Sequence, residues 1–344
     1  MINKIGKIRD TYSIVRKLSV TNNSDISKAF LDRVMYNIEK LPPLGKEYWW
    51  FLFFDDKGEK PAQLMLMICR TYGKKMIFNG KEMILKDFGT NKIQAVTTAW
   101  FYDGQKLNEL GDTNAITEIQ GNKIISEISG QKVVFSGSFP NYKLKIGNIV
   151  DLDIKKSQHL YRKETCGGFF PPFGMGWINI DSDVEGTVFG KKFKGKGHLQ
   201  KVIGVTLLGP FNWGRILFKN GSVARFFYLK ARKNSKRYFR TSIDFYDHPG
   251  GQIIKFDNPK INVSKRDDFW IIHGKDYDKN FQITLEAYAH RQFTMKGYGL
   301  LNYNPLNYNE YAVVPREFHF RTKDRKINLN DLGGGVGTFE DTYW

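Results

Sequence analysis

Helical periodicity is strong at one place only. After Ser24-Asp25-Ile26-Ser27, the apolar residues Phe30, Leu31, Val34, Met35 and Ile38 fall three and four positions apart, and Pro42-Pro43 ends the pattern. This spacing predicts one amphipathic helix with a capped start, placed to cover or plug a neighbouring body. From Glu47 the helical period disappears. Tyr48 to Phe54 is an unbroken aromatic and aliphatic run, too short for a buried helix and closed by the turn Asp55-Asp56-Lys57-Gly58. Strand-like segments then recur at Leu64–Arg70, Lys75–Phe78, Gln94–Tyr102, Ala115–Ile119, Lys123–Ile128, Lys132–Ser138 and Tyr142–Val150. Asn79-Gly80, Asp103-Gly104, Gly121-Asn122 and Gly147-Asn148 separate them, which is the signature of an antiparallel barrel or sandwich.

The stretch Tyr161–Gly176, with Gly167-Gly168-Phe169-Phe170-Pro171-Pro172-Phe173-Gly174, reads as an aromatic linker or covering loop. Strand-like runs resume at Gly176–Asp181 and continue through Thr241–Tyr246, Gln252–Phe256, Asp268–His273, Phe281–His290, Tyr311–Thr322 and Gly337–Trp344. No comparable helix is expected after Lys40. A chain of 344 residues exceeds the usual size of one domain. The expected division is an N-terminal helical segment (1–45), a first β-domain (46–185) and a second (186–344). The glycine-split stretch Glu185–Leu229, with a hairpin signal at Asn220-Gly221, is placed to join the halves and to supply part of a site between them.

Composition supports packed cores, with 27 Phe, 17 Tyr and 33 Gly. The net charge of +18 is spread along the chain. It suits a solvated lysine-rich surface or contact with an anionic partner. Its densest run, Lys230–Arg237, offers a peripheral contact with an anionic membrane, whereas no motif supports nucleic acid. Two cysteines, Cys69 and Cys166, cannot build a metal cage, and Cys69 sits in an apolar run as a small core residue. No signal peptide and no apolar run long enough for a spanning helix is visible, so a cytoplasmic protein, soluble or peripheral at the membrane, is expected. There is no GxxxxGK[ST], no dinucleotide GxGxxG, no HExxH and no GxSxG, and the six histidines lack metal spacing. No cofactor and no metal are expected.

Three features in combination carry a resemblance. The first is Phe169-Phe170-Pro171-Pro172 leading into Ile178–Gly190. The second is Phe193-Lys194-Gly195-Lys196-Gly197-His198 through Gly204, and the third is Phe211-Asn212-Trp213-Gly214-Arg215 with Asn220-Gly221-Ser222. The arrangement resembles the lipocalin-like family that groups carotenoid 1,2-hydratases (hydroxyneurosporene synthases) with AttH-like and survival-factor proteins, best over 165–230. The ending Gly333 to Tyr343 suits a closing barrel strand of that family. The resemblance implies an all-β fold of two consecutive lipocalin-like antiparallel β-barrels with a short N-terminal helix. It also implies an apolar pocket, in a barrel or between them, for an isoprenoid or other lipid. At the register set by the glycines, where the hydratases carry an acid-base cluster, this chain reads Gln200-Lys201-Val202-Ile203.

Candidate chemistry follows from strand alternation. If 196–203 is a strand, His198 and Gln200 share one face, lining a barrel interior, and Lys201 takes the other. Glu286, Tyr288 and His290 alternate along a strand as a potential acid-base relay. Arg240, Ser242, Asp244 and Tyr246 form another row, in which Arg240 and Asp244 are close enough to pair. Trp213 and Arg215 share a face suited to an aromatic or anionic group. The acid-base candidates are therefore His198, Asp244, Glu286 and His290. The candidate ligand contacts are Gln200, Trp213, Arg215, Tyr228, Tyr246 and Tyr288. A solvent-facing strand would show the same alternation. The function these features support is binding of a lipophilic small molecule, an isoprenoid or lipid, in a barrel or interdomain pocket. The first alternative is acid-catalysed chemistry on an isoprenoid (hydratase, isomerase or cyclase) on the same fold, and the second is basic-surface binding of nucleic acid or another anionic partner.

Overall fold

The computed structural model describes residues 13–18, 27–89, 91–157, 165–170, 173–206, 210–230, 238–248, 250–256, 259–297 and 305–343. Helix α1 covers residues 13–18 and α2 covers Lys28–Met35. The Oγ of Ser27 accepts the Phe30 N–H and caps α2, while Phe30, Leu31, Val34 and Met35 are buried, as the spacing requires. Residues 24–26 of the expected helix start lie outside the described residues.

The strands are β1 (Gly45–Asp55), β2 (Gln63–Thr71), β3 (Lys75–Phe78), β4 (Lys81–Ile84), β5 (Lys92–Tyr102), β6 (Leu107–Ile119), β7 (Lys123–Ile128), β8 (Gln131–Ser138), β9 (Asn141–Ile146), β10 (Val150–Lys156), β11 (Thr165–Phe170), β12 (Phe173–Val188) and β13 (Lys191–Val205). After residue 210 come β14 (Phe211–Phe218), β15 (Val223–Lys230), β16 (Tyr238–Asp247), β17 (Gln252–Phe256), β18 (Lys260–Arg266), β19 (Phe269–Asp276), β20 (Lys279–Gly297), β21 (Leu306–Arg321), β22 (Lys326–Asn328) and β23 (Gly335–Tyr343), with a single helical turn α3 (Leu329–Leu332).

The first sheet runs β10-β9-β8-β7-β6-β5-β2-β1-β13-β12-β11, and pairing of β10 with β12 closes ten of these strands into an antiparallel barrel. The aromatic run of β1 does not alternate in polarity because both of its faces are buried. Trp49, Phe51 and Phe53 point into the barrel, and Trp50, Leu52 and Phe54 point out toward the second sheet. The Gly195-Lys196-Gly197 motif serves this crossing. A Cβ on Gly195 would lie 2.0 Å from the Phe54 carbonyl oxygen, so only glycine lets β13 approach β1 there.

An ionic cluster ties the helical segment to the mouth of this barrel. Lys201 Nζ lies 2.9 Å from Glu47 Oε1 and 4.2 Å above the Trp49 ring, and it also donates to the Asn37 carbonyl. Arg70 Nε donates to Glu47 Oε2 at 2.9 Å, and its Nη2 donates to the Glu39 carbonyl. The segment after α2 thus plugs the barrel, as expected of that helix.

The second sheet runs β17-β16-β15-β14-β23-β21-β20-β19-β18, with β22 beside β21. It curls around its own core of Phe226, Phe245, Phe281, Phe318 and Phe320. Its end strands β17 and β18 share no ladder among the described residues, so hydrogen bonds do not close this second body as they close the first. The β3–β4 hairpin, turned at Asn79-Gly80, leaves the first half and pairs with β20. Arg291 completes this clasp, donating to Thr98 Oγ1 (3.0 Å) and the Ala99 carbonyl (3.2 Å) and pairing with Asp112 (2.9 Å).

Two expectations about organisation change. The hairpin β12–β13, which a boundary at 185/186 would cut, lies wholly in the first sheet, and the passage to the second falls between Val205 and Phe211. The glycines at 186, 190, 195 and 197, which split the joining stretch into short segments, serve one long hairpin and its close approach to β1. Of the expected linker 161–176, residues 165–170 and 173–176 form paired strands of β11 and β12. The all-β organisation in two bodies stands. No helix among the described residues is long and apolar enough to cross a membrane.

Candidate functional site between the two sheets

The outward faces of β1, β2 and β5 pack on the facing side of β14, β15, β20 and β21. Trp50, Leu52, Met65, Met67, Trp100 and Tyr102 meet Phe211, Trp213, Leu217, Tyr246 and Phe293. Ionisable groups are set into this apolar seam, and cross-strand register explains how they meet.

In β12–β13, Asp181 stands opposite His198 and Asn179 opposite Gln200. His198 and Gln200 do share a face, and Lys201 takes the other. That face is not a barrel interior, however: it looks outward into the seam, while Lys201 points inside. His198 Nδ1 is 2.9 Å from Asp181 Oδ1, and Arg215 of β14 donates to Asp181 Oδ2 across the seam. Gln200 donates to Asn179 Oδ1 at 2.9 Å. Trp50 meets His198 edge-on at 5.8 Å and Trp213 at 5.4 Å between ring centroids.

Burial first, and then the nearby Arg215 guanidinium, push the His198 pKa down to about 4 against the opposing pull of Asp181. Burial alone would raise Asp181, but Arg215 and His198 outweigh it and hold the carboxyl at about 2. At neutral pH the dyad is therefore carboxylate and neutral imidazole. The Nδ1–H donates to Asp181, and Nε2 is left as a buried acceptor without a hydrogen-bond partner.

A second row crosses the facing sheet. Arg291, Glu310, Glu340 and Trp213 are successive cross-strand neighbours on β20, β21, β23 and β14. Glu310 is fully buried, and neither carboxyl oxygen forms a well-aligned hydrogen bond, although the indole N–H groups of Trp50 and Trp100 lie close enough to favour its charge. Burial, reinforced by Glu340, drives the Glu310 pKa far up. Burial raises Glu340 to about 8 despite a hydrogen bond from Tyr308. Glu340 is thus mostly protonated at pH 7, and burial drives Glu310 in the same direction. The raised Glu340 pKa has a measurable sign. Its proton stabilises the folded state fully below the unfolded value near 4.5, and that contribution is lost as pH rises through about 8. Between about pH 7 and pH 9 the wild-type chain is expected to lose about 1.4 kcal/mol of stability relative to Glu340→Gln, read by urea unfolding at the two pH values. Equal pH slopes for the two proteins would refute the assignment.

The remaining candidates distribute as follows. Asp244 pairs with Arg225, its cross-strand neighbour, and Arg240 has no described side chain to offer it. Arg225 also bears on the His198 charge, so Asp244 belongs to the edge of the same network. Tyr246 lies in the seam, but Tyr228 points to the opposite face, into the second core. Glu286, Tyr288 and His290 do not share a side. A bulge at Tyr288, between Ala287 and Ala289, inserts one residue and flips the alternation. Tyr288 packs on Tyr102 in the seam at 5.1 Å. Glu286 is bound at its rim by Lys60 (2.9 Å) and Arg316. His290 stacks on Tyr311 at 4.4 Å beyond the bulge. Burial would raise the Glu286 carboxyl, yet Lys60 and Arg316 outweigh it and keep it ionised, which does not suit a proton donor.

Sequence reasoning missed Asp181, Glu310, Glu340, Trp50 and Trp100. Asp181 carried a signal: counting back from the Phe189-Gly190 turn places it opposite His198. No acid stands at Gln200–Ile203 itself, and the carboxylate nearest to His198 comes from the neighbouring strand. Cys69 is a free thiol buried in the seam, with its pKa pushed by burial up to about 12. Cys166 has no described side chain. Lys230 is buried and paired with Asp341 at 3.0 Å, and residues 231–237 lie outside the described residues. Among the described residues no group of three or more His, Cys, Asp or Glu side chains could hold a metal ion.

No protein-family model matches the chain, and neither does any curated protein. Solved structures do. CghA is similar at a TM-score of 0.51 and 8% identity, over 89% of this chain and 90% of that one. A putative AttH from Nitrosomonas europaea gives 0.46 at 13% identity, over 86% and 92%, and kievitone hydratase from Nectria haematococca gives 0.47 at 10% identity, over 87% and 89%. The likeness is one of fold, the lipocalin-like architecture that the motifs at 165–230 imply.

Proposed function

We propose that the chain is an enzyme that carries out acid-base chemistry on a lipophilic, unsaturated small molecule bound in the seam between its two sheets. One observation supports this reading above the others. His198, a neutral imidazole with a free buried acceptor, lies edge-on to Trp50. Glu340, a carboxyl protonated at neutral pH, is the cross-strand neighbour of Trp213, which Trp50 meets at 5.4 Å. Environments that drive two titratable groups apart in this way assign one as base and the other as acid at neutral pH. His198 Nε2 takes a proton from the substrate, with Asp181 fixing the tautomer and stabilising the imidazolium. Glu340 delivers a proton to the other end, and the indole faces stabilise positive charge that develops between them.

The seam is filled by side chains in this structure, so a ligand enters by displacing them. Met65, Met67, Met76, Met83 and Met295 gather there, and unbranched thioether chains repack at little cost. The apolar wall selects a lipophilic substrate. The test begins with native mass spectrometry of protein from its own source, to identify a co-purified small molecule. That molecule is then incubated with the protein in deuterium oxide. Site-specific uptake of deuterium or conversion of the ligand is expected. A ligand that binds and returns chemically unchanged, with no deuterium, would make the chain a carrier instead.

A further inference from the structure

Of the nine large apolar side chains exposed among the described residues, five lie on segments where the first barrel meets the β3–β4 hairpin: Leu44, Tyr72, Ile84, Phe88 and Ile116. Backbone and side-chain bonds tie these segments together. The Tyr72 N–H donates to the Gly45 carbonyl, next to Leu44, and the Leu85 N–H donates to the Lys74 carbonyl. Asn114 brackets Ile84 with hydrogen bonds of 2.9 and 2.8 Å, and Ile116 follows two residues on along β6, on the same side of the strand. Phe88 donates its N–H to the Lys92 carbonyl. Beside Tyr72 is a depression of about 250 Å³ whose lining includes Leu41, Arg70, Lys74, Leu85, Lys86 and Asp87.

The rim of this patch is basic. From Tyr72 through Lys92 the chain carries five lysines, Lys92 included, against two acids. Of those acids, Glu82 pairs with Lys75 at 2.8 Å and Asp87 accepts the Gly89 N–H at 3.0 Å. The Lys86 ammonium lies 4.8 Å over the Phe88 ring, so a cation and an exposed aromatic share this part of the surface. Aliphatic and aromatic tips surrounded by lysines match the interface of an anionic bilayer, where apolar tips enter the headgroup region and lysines meet lipid phosphates and carboxylates. A nucleic acid would use stacking rings, and only two of the five side chains, Tyr72 and Phe88, carry one. We propose that this corner is a docking surface for an anionic lipid bilayer. The surface is separate from the seam and does not depend on its chemistry.

The probe is a set of phosphatidylcholine vesicles with and without phosphatidylserine, read by co-sedimentation of the full chain. The wild-type protein is expected to bind the anionic vesicles and to bind neutral ones far more weakly. Ile84→Asp/Phe88→Asp and, separately, Lys74→Glu/Lys86→Glu each lower binding by at least about tenfold. Ile253→Asp/Phe269→Asp, on the second sheet, leaves it unchanged. Urea midpoints equal to wild type show that the exposed substitutions spare the fold. The proposal is overturned if wild type ignores anionic vesicles, or if the corner variants bind as wild type does, which would move the contact elsewhere on the chain. It is equally overturned if the corner variants abolish a vesicle-independent dimer, making a second copy the occupant.

Discussion

Replacing Glu47 with glutamine is expected to lower the stability of the chain by about 3–5 kcal/mol, the cost of leaving buried charges without their counter-charge. Glu47 is fully buried, and so is Lys201, whose ammonium has Glu47 as its ion-pair partner inside the barrel. Arg70 shares the same carboxylate. The substitution keeps the volume and part of the hydrogen bonding, yet leaves two cations in a low-dielectric interior. Because Lys201 also bonds the Asn37 carbonyl and Arg70 the Glu39 carbonyl, the loss spreads to the plug that follows α2. The double variant Glu47→Gln/Lys201→Met removes one stranded charge and is expected to recover at least half of the loss, since a buried pair replaced as a unit costs little. Urea unfolding of the two variants decides the point. A single-variant loss below about 1 kcal/mol would show that water reaches these groups.

This ionic cluster also shows what a sequence can and cannot tell. Its plug was legible, because helical spacing from Phe30 to Ile38 needs only local periodicity. The strands were legible for the same reason, through Asn79-Gly80, Asn220-Gly221 and the apolar runs between them. Partnership between distant strands was not. Glu47, Arg70 and Lys201 meet because β1 lies between β2 and β13, an order that no local pattern encodes. The seam is a harder case. Trp50 and Glu310 come from different sheets, so neither strand's alternation announces the other. A solitary acid in an apolar strand, such as Glu310 between Tyr308 and Ala312 on one face, is the nearest thing to a signal. His198 was found because strand parity sets it apart from Lys201, and its partner Asp181 could be counted from a turn. The relay expected along β20 failed through a single bulge, since one extra residue reverses every side chain beyond it.

The register that does hold, Asp181 opposite His198, carries the second large prediction. With the ligand identified, His198→Gln is expected to lower turnover by about 10²–10⁴-fold, the usual contribution of a positioned base. Glutamine keeps a polar side chain of similar reach, so the seam and its Trp50 and Trp213 walls persist. Asp181→Asn is expected to act through His198, because an amide cannot enforce the Nδ1–H tautomer and leaves Arg215 without its carboxylate. The pH profile separates chemistry from structure. A base with its pKa pushed down to about 4 loses activity only as pH falls toward that value, well below the ordinary histidine range. An acid near 8 loses it as pH rises past that value, so a plateau between the two limbs is expected for the wild-type enzyme. Glu340→Gln should remove the alkaline limb along with most of the rate, while the acid limb remains in the residual activity. A His198→Gln enzyme that kept full turnover and the acid limb would remove the base assigned here and return the seam to a purely structural role.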